Sequence, residues 1–464
     1  MTLSDWTKKL NLPGLKVTDV RGDQFDGKLE DPTACAICGS THFNVEHKDR
    51  EKNLIDLLSH QNQLRVIDLH FLYNYYECSN SIKRHFFPRA FVFSNYKRRY
   101  TCRFELFIFE HCLVMDAKKL ASGNVIHGKI SDMDVAEIFA YCTKQLDSLV
   151  PKKIAPVQTL YIHRSFIKGT LFYSICNLED GMLIEILPDC SIASFSTFAE
   201  RMSLSHLKTV WIDIDDRLLQ TIQVVFPNAE ICTGKREVQR FIRSQLPLLA
   251  AELGADKGIK KAISIESESR SKHSEKRLKA FIEQNPEIAA YYQMEERLGD
   301  ISKQWTLTQM EEWIDEVPLS SPTLFAIKAS LTAYKKQMRN AVGKYYCNKQ
   351  GNDVIKIAED HLESIDLSHD KLRKTSAPVM RSRALYGELL LSSFSLEDFC
   401  DEQGKFKTQQ DVVFEKVVKK CVRTARSGEK EVLLGEPLEE IDARMKEMAE
   451  SYPARPRVQS KINT

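Results

Sequence analysis

The chain has 464 residues, with 66 Lys and Arg against 64 Asp and Glu and a formal net charge of +2. That length predicts two to four domains with sizeable cores, and the balance excludes nucleic-acid binding through bulk charge, so any such surface must come from local segregation. Twelve cysteines follow a start, MTLSDWTKKL, that lacks the apolar stretch of a secretory signal. Metal ligation or burial in a reducing cytoplasm is expected rather than disulfides. No apolar run approaches the roughly 18 residues of a membrane span, so no membrane association is expected.

Residues 1–95 read as a zinc-knuckle domain. Cys35-Ala-Ile-Cys38-Gly39 is a C-x2-C turn that lets two thiolates meet one metal. Cys78 and His85 supply a second half, and three thiolates with one imidazole would close a tetrahedral structural zinc site, stapling a segment with little core of its own. His42 and His47 compete for the fourth position, and the bland alternative is a set of buried cysteines beside a surface histidine.

Residues 96–150 read as a helix-turn-helix preceded by a basic stretch. Between Glu77 and Glu105 stand Lys83, Arg84, Arg89, Lys97, Arg98, Arg99 and Arg103 with no acid among them, interleaved with Phe86, Phe87, Phe91, Phe93, Tyr96 and Tyr100. Clustered cations of this kind neutralise phosphates and release counterions, giving sequence-independent affinity for double-stranded DNA. The alternative is a solvated basic face. Helical periods follow at Phe104–Cys112 and Asp116–Ala121. Beyond Lys129, Ser131-Asp-Met-Asp134 is a capping box opening a helix with Val135, Ile138, Phe139 and Cys142 on one face. Its last helix would enter a major groove; a plain helical spacer would show the same period.

Residues 155–250 carry the organising pattern. Three apolar runs, Leu160–Ile162, Leu171–Cys176 and Met182–Leu187, are separated by Lys168-Gly169 and Glu179-Asp180-Gly181, which predicts an antiparallel meander. A fourth run, Val210–Ile212, leads into Asp213, Asp215 and Asp216. A helical period and a short fifth strand follow. The order β-β-β-α-β-α-β-α is that of a ribonuclease H-like domain, whose chemistry needs acids at strand ends.

The frame Ile162-His163-Arg164, Lys168-Gly169, Asp180-Gly181, Ile212-Asp213, Phe226-Pro227-Asn228-Ala229 and Gly234-Lys-Arg-Glu237 resembles the insertion-sequence transposases of the ISL-three group. Arg99-Tyr100-Thr101-Cys102-Arg103 and Asn352-Asp-Val-Ile355-Lys356 extend the likeness to about residues 30–390. The resemblance implies a zinc knuckle, a helix-turn-helix and a DDE ribonuclease H-like domain holding two Mg²⁺ or Mn²⁺ ions. The family's second C-x2-C is here Cys78-Ser79-Asn80-Ser81, one thiolate short. His163 stands at the first catalytic Asp, with Arg164 in place of the usual Glu; Asp213 keeps the second. Gly234 and Glu237 replace an Asp-x-x-His pair, and Lys349 stands at the final Glu. One firm acid out of three makes a two-metal centre unfavourable. Asp215, Asp216 and Glu237 are the acids that could rescue one; otherwise the first two serve a helix start and the third a helix surface.

The fold class expected is thus α+β multidomain: zinc-binding and helix-turn-helix modules, a ribonuclease H-like α/β core, and a helical C-terminal part. A helical insertion covers 251–345, with Gly254–Lys279 an exposed loop or poorly packed helix, and Met, Tyr and Trp at helical spacing as core. Lys335, Lys336, Arg339 and Lys344 read as a solvated helix face sooner than a DNA contact. Residues 346–395 would end the ribonuclease H-like core and 396–464 form a helical appendage and tail, serving self-association or a partner protein. The function expected is a transposase-derived DNA-binding pseudoenzyme, a regulator or accessory subunit in a prokaryotic, nucleoid-associated cytoplasmic setting. Two alternatives stand beside it: an active DDE transposase with an altered two-metal site, using Mg²⁺ or Mn²⁺, and an interaction protein that reuses the fold without DNA.

Overall fold

In a computed structural model, residues 1–407 are described except 36–39, 61–62, 79–84, 89–92, 95–97, 124–125, 127–128, 155, 168–169, 265–270, 287, 290–305, 343 and 345–375, with backbone alone for 85–88, 167, 264 and 307. They fall into two compact units, one built mainly on residues 1–101 and the other mainly on 102–406.

The first unit is a sheet with its own core. Helix α1 (Leu3–Leu10) is opened by a capping box in which the Asp5 N–H donates to Thr2 Oγ1 and the Thr2 N–H to Asp5 Oδ2. Strands β1 (Leu15–Arg21) and β2 (Gln24–Leu29) form a hairpin turned at Gly22, whose φ of +64° suits glycine. Two long strands, β3 (Phe43–His60) and β4 (Gln63–Cys78), complete the order β1-β2-β4-β3, and β5 (His85–Pro88) pairs with the end of β4. Alternate residues of β4 point inward, so Ile67, Leu69, Phe71 and Tyr73 meet Leu10, Phe25, Leu54, Leu58 and Phe93. This corrects the expectation of a segment with little core of its own. The long period-two runs around Leu54–Leu58 and Val66–Tyr76 are strands that bury an apolar face without help from a metal.

The second unit opens with α2 (Cys102–Val114), α3 (Ala117–Ala121) and α4 (Asp132–Leu149). The predicted box at Ser131 caps α4, with the Asp134 N–H donating to Ser131 Oγ at 3.1 Å. Val135, Ile138, Phe139 and Cys142 are buried as the periodicity required. The unit boundary falls at Thr101/Cys102, so these helices belong with the sheet that follows.

That sheet contains the meander β6 (Thr159–Ile167), β7 (Thr170–Asn177) and β8 (Met182–Leu187). Helix α5 (Ile192–Met202) leads to β9 (Thr209–Ile212), and α6 (Asp216–Val225) leads to β10 (Glu230–Cys232). The order is β10-β9-β6-β7-β8, with β9 parallel to both neighbours. The expected ribonuclease H-like strand sequence is therefore realised as one sheet. Leu160, Ile162, Tyr173, Ile175, Val210 and Ile212 face a single large core, which leaves Tyr161, His163 and Asp213 on the opposite face by alternation.

Helix α7 (Lys235–Glu252) joins that core through Val238, Ile242, Leu246 and Leu249. The described part of the stretch expected to be loop or loose helix folds as α8 (Lys257–Ser264) and α9 (Lys272–Gln284), and Ala255, Ala262, Ile263 and Leu278 are buried in the same core with Ile259 packed against it. Helices α10 (Leu307–Asp315), α11 (Pro322–Ala333) and α12 (Lys335–Ala341) bury Trp313, Tyr334 and Met338 there too. The insertion thus shares a core with the sheet. Lys335, Arg339 and Lys344 pair with Asp315, Glu311 and Glu230, the solvated ion pairs expected of that face.

Helix α13 (Ala377–Ser392) packs on β8 and α2. Its Arg381 grips Glu185 of β8 through two bonds of 2.7 Å and reaches Asp147 of α4 at 3.0 Å, while Arg201 and Tyr386 complete the cluster. Glu185 is 1% exposed, so these partners supply what water would have given its charge. The expected appendage beyond residue 407 and the Asn352–Lys356 run lie outside the described residues.

Candidate functional site

The site forms where β6 and β9 end side by side. Their register pairs Ile162 with Ile212, so the next residues, His163 and Asp213, are neighbours on the face away from the core. The expected first and second catalytic positions do meet, and what meets is an imidazole and a carboxylate. His163 Nδ1 lies 2.6 Å from Asp213 Oδ2, which also accepts the Arg164 backbone N–H at 2.8 Å. At that separation Nδ1 carries the proton and donates to the carboxylate.

Arg240, one turn along α7 from Glu237, closes the site. Its Nη2 donates to Tyr161 Oη and, at 3.0 Å, to Glu237 Oε1, and lies 3.7 Å from Asp213 Oδ1. Its Nη1 is 2.9 Å from His163 Nδ1. Because Nδ1 already gives its proton to Asp213, the latter contact is positional, with the guanidinium held there by its oxygens.

Gly234 and Glu237 work as a pair. The Glu237 carboxylate accepts the Gly234 N–H at 2.9 Å, an N-terminal cap built from the fourth residue of the motif. A Cβ on Gly234 would sit 2.8 Å from Glu237 Oε2 and 3.0 Å from the Trp211 ring. A side chain at 234 would therefore oblige the Glu237 carboxylate to move off the Gly234 N–H and Trp211 to give way, so the glycine and the glutamate are coupled in one local arrangement. Glu237 is buried, not on the helix surface as its bland reading held.

Burial alone would raise the Asp213 carboxyl; the charge and hydrogen bond of His163, with Arg240 and the Arg164 N–H, overcome that and hold it at about 2. Burial pushes Glu237 up, against the pull of Arg240. Burial would lower Arg240, but Tyr161, Asp213 and Glu237 together raise it. Among the described residues, Asp213 Oδ1 is buried without a hydrogen bond and faces the Arg240 charge.

The neighbouring acids serve the fold. Asp215 Oδ1 accepts the N–H groups of Arg217 and Leu218 at 3.0 and 3.1 Å and caps α6, while its own N–H donates to Tyr334 Oη at 3.0 Å. Asp216 is an exposed first-turn acid of α6. Both follow the helix-start alternative.

Sheet order and paired strand ends together give a ribonuclease H-like frame, and residues 164–349 match a family described as transposase, of the ISL-three type. The chain resembles the ISL-three-group transposases. The matched segment begins one residue after His163 and ends on Lys349. No curated protein matches the chain. The resemblance implies a pair of divalent ions held at the positions of His163 and Asp213. The residues present do not fit such a pair. Mg²⁺ requires hard oxygen donors and net negative charge, whereas this site holds an imidazole and a guanidinium against its carboxylates. Lys349 lies outside the described residues.

Of the candidate zinc ligands, Cys35 and Cys78 are buried together beside Tyr76 and Phe43. The Cys35 N–H donates to the Ser40 carbonyl at 2.6 Å. Cys78 stands directly across the ladder from His85. Cys38 and the His85 side chain lie outside the described residues, and among those described no group of three His, Cys, Asp or Glu could hold a metal. His42 and His47 are exposed.

Of the candidate DNA contacts, Arg99 and Lys129 are exposed and Arg98 and Arg103 half-buried; Lys83, Arg84, Arg89 and Lys97 lie outside the described residues. Arg99 donates from Nε to Tyr100 Oη at 3.2 Å. The outward face of α4 shows Asp132, Met133, Ala136, Glu137, Ala140, Lys144 and Ser148. One cation against two acids is a poor complement to phosphate. No helix among the described residues is long and apolar enough to cross a membrane.

Sequence reasoning missed Arg240 and Tyr161. The signal for Arg240 was its spacing, three residues beyond Glu237, which puts the two on one helical face. Tyr161 carried no signal beyond its place in an apolar run.

Proposed function

We propose that the chain is a transposase-derived DNA-binding protein that acts on DNA as a regulator or accessory subunit without DDE strand transfer. The observation that carries this is the His163–Asp213 pair with Arg240 against it. Groups that must be carboxylates in a two-metal centre are here an imidazole and a carboxylate that already faces the Arg240 guanidinium. The transposase match and the acid-free basic run from Lys83 to Arg103 support retention of DNA binding. The run, sooner than the acidic outer face of α4, supplies the phosphate contacts. A structural zinc held by Cys35, Cys38, Cys78 and His85 would brace the end of β4 next to that run. Self-association or a partner protein is assigned to the chain beyond residue 396, and the setting is the nucleoid of a prokaryotic cytoplasm.

One observation favours the second reading, an active enzyme with an altered metal site: among the described residues Asp213 Oδ1 is buried without a hydrogen bond, as a metal ligand would be. Arg240 at 3.7 Å answers that charge, and the first reading is preferred.

Fluorescence anisotropy with labelled duplex DNA tests the binding half. Affinity should fall steeply with salt. Charge reversal at Lys97, Arg98 and Arg99 should weaken binding and lower the slope of log affinity against log salt by about 0.9 for each phosphate no longer neutralised. Unchanged affinity and slope in the triple variant would refute the proposed surface.

A further inference from the structure

We propose that Arg240 is a resident cation standing in the electrostatic place of a divalent metal, so that this ribonuclease H-like site is assembled without one. The proposal deepens the reading of the same site given above, and its test needs no DNA, so the two fail separately.

Three observations converge on it. Arg240 Nη2 sits among oxygens from three elements: Tyr161 Oη of β6, Glu237 Oε1 of α7 at 3.0 Å, and Asp213 Oδ1 at the end of β9 at 3.7 Å. Converging oxygens are what a hard divalent ion requires, and here a side chain supplies the positive centre among them. Second, Asp213 Oδ1 is buried and has no hydrogen bond among the described residues; its compensation is the guanidinium charge. Third, Glu237 is fully enclosed and remains tied both to Arg240 and to the Gly234 N–H, so both carboxylates bordering the cation are anchored to the backbone frame. Arg164, whose N–H donates to Asp213, sends its own guanidinium to Asp215 at 3.8 Å and leaves the position to Arg240.

The chemical consequence follows from what a guanidinium lacks. It holds carboxylates in place but accepts no lone pair from a water or a phosphate oxygen, so it activates no nucleophile as a metal does. Being covalently attached, it also makes the site's assembly independent of metal concentration.

Mn²⁺ binding, followed by electron paramagnetic resonance and by thermal melting of the full chain, tests this. Wild-type protein should show no Mn²⁺ uptake that Asp213→Asn removes, and should melt alike without added metal and in millimolar Mn²⁺. Arg240→Ala should melt roughly 5–10 °C lower, with two carboxylates left uncompensated. It should also take up Mn²⁺ in a way Asp213→Asn abolishes, with part of the melting temperature restored. Arg240→Lys, which keeps a cation, should take up none. Asp213-dependent Mn²⁺ uptake by the wild type or by Arg240→Lys overturns the proposal, and those two measurements decide it if Arg240→Ala does not fold. Arg240→Ala that melts like the wild type, or folds and takes up no Mn²⁺, also overturns it.

Discussion

Asp213→Asn removes the carboxylate on which His163, Arg240 and the Arg164 N–H converge. In the folded chain its carboxyl is held at about 2 against an ordinary 3.8, burial being outweighed by those neighbours. Each pKa unit corresponds to about 1.4 kcal/mol, so the depression stabilises the fold by about 2 kcal/mol. Since the folded value lies below the unfolded one, this contribution is complete above about pH 4 and is lost as pH falls toward about 2. Asparagine retains the shape but loses the charge, and its amide cannot take every donor that faced the carboxylate. Urea unfolding followed by tryptophan fluorescence should therefore place the variant about 2 kcal/mol below wild type at pH 7. The gap should shrink as both proteins are acidified below about pH 4. A gap under about 0.5 kcal/mol at pH 7, or one that stays constant down to about pH 3, would refute the electrostatic account.

Two further outcomes follow from other parts of the fold. Arg381→Met leaves the buried Glu185 with Arg201 as its remaining arginine. It should cost about 2–3 kcal/mol in urea unfolding, less than the roughly 3–5 of a wholly unpaired buried charge; a loss below about 1 would show that Arg201 suffices. Metal analysis of the purified chain should find one zinc per molecule, lost in Cys35→Ala. Because the first unit has its own apolar core, chelation should lower its melting temperature without unfolding it, and protein free of zinc as isolated would remove the knuckle.

Much of the fold could be read from periodicity. The meander, the capped α4 and the strand into Asp213 are local patterns, and each stands where its residues placed it. Long-range facts were harder to see. The first unit looked coreless because β3 and β4 run through many charged residues, and only pairing reveals that alternate positions of β4 share one apolar face. The stretch Gly254–Lys279 looked unpacked because so few of its residues are apolar, yet Ile259, Ala262, Ile263 and Leu278 join the core, with Phe281 and Ile282 just beyond the stretch. At the site, the frame showed that His163 and Asp213 would be neighbours, since adjacent strand ends fix that. Arg240 was illegible because its role depends on a guanidinium reaching from α7 across to β6 and β9, to a histidine 77 residues away in sequence.

Strand cleavage tests most directly whether this transposase-like frame persists without metal chemistry. Wild-type protein should be incubated with end-labelled duplex carrying the sequences that flank its coding region, in Mg²⁺ and separately in Mn²⁺, and the strands resolved on a denaturing gel. Binding with every strand intact in both metals is the outcome predicted. Metal-dependent nicking or joining that disappears in Asp213→Asn would contradict it and establish a working transposase with an altered site.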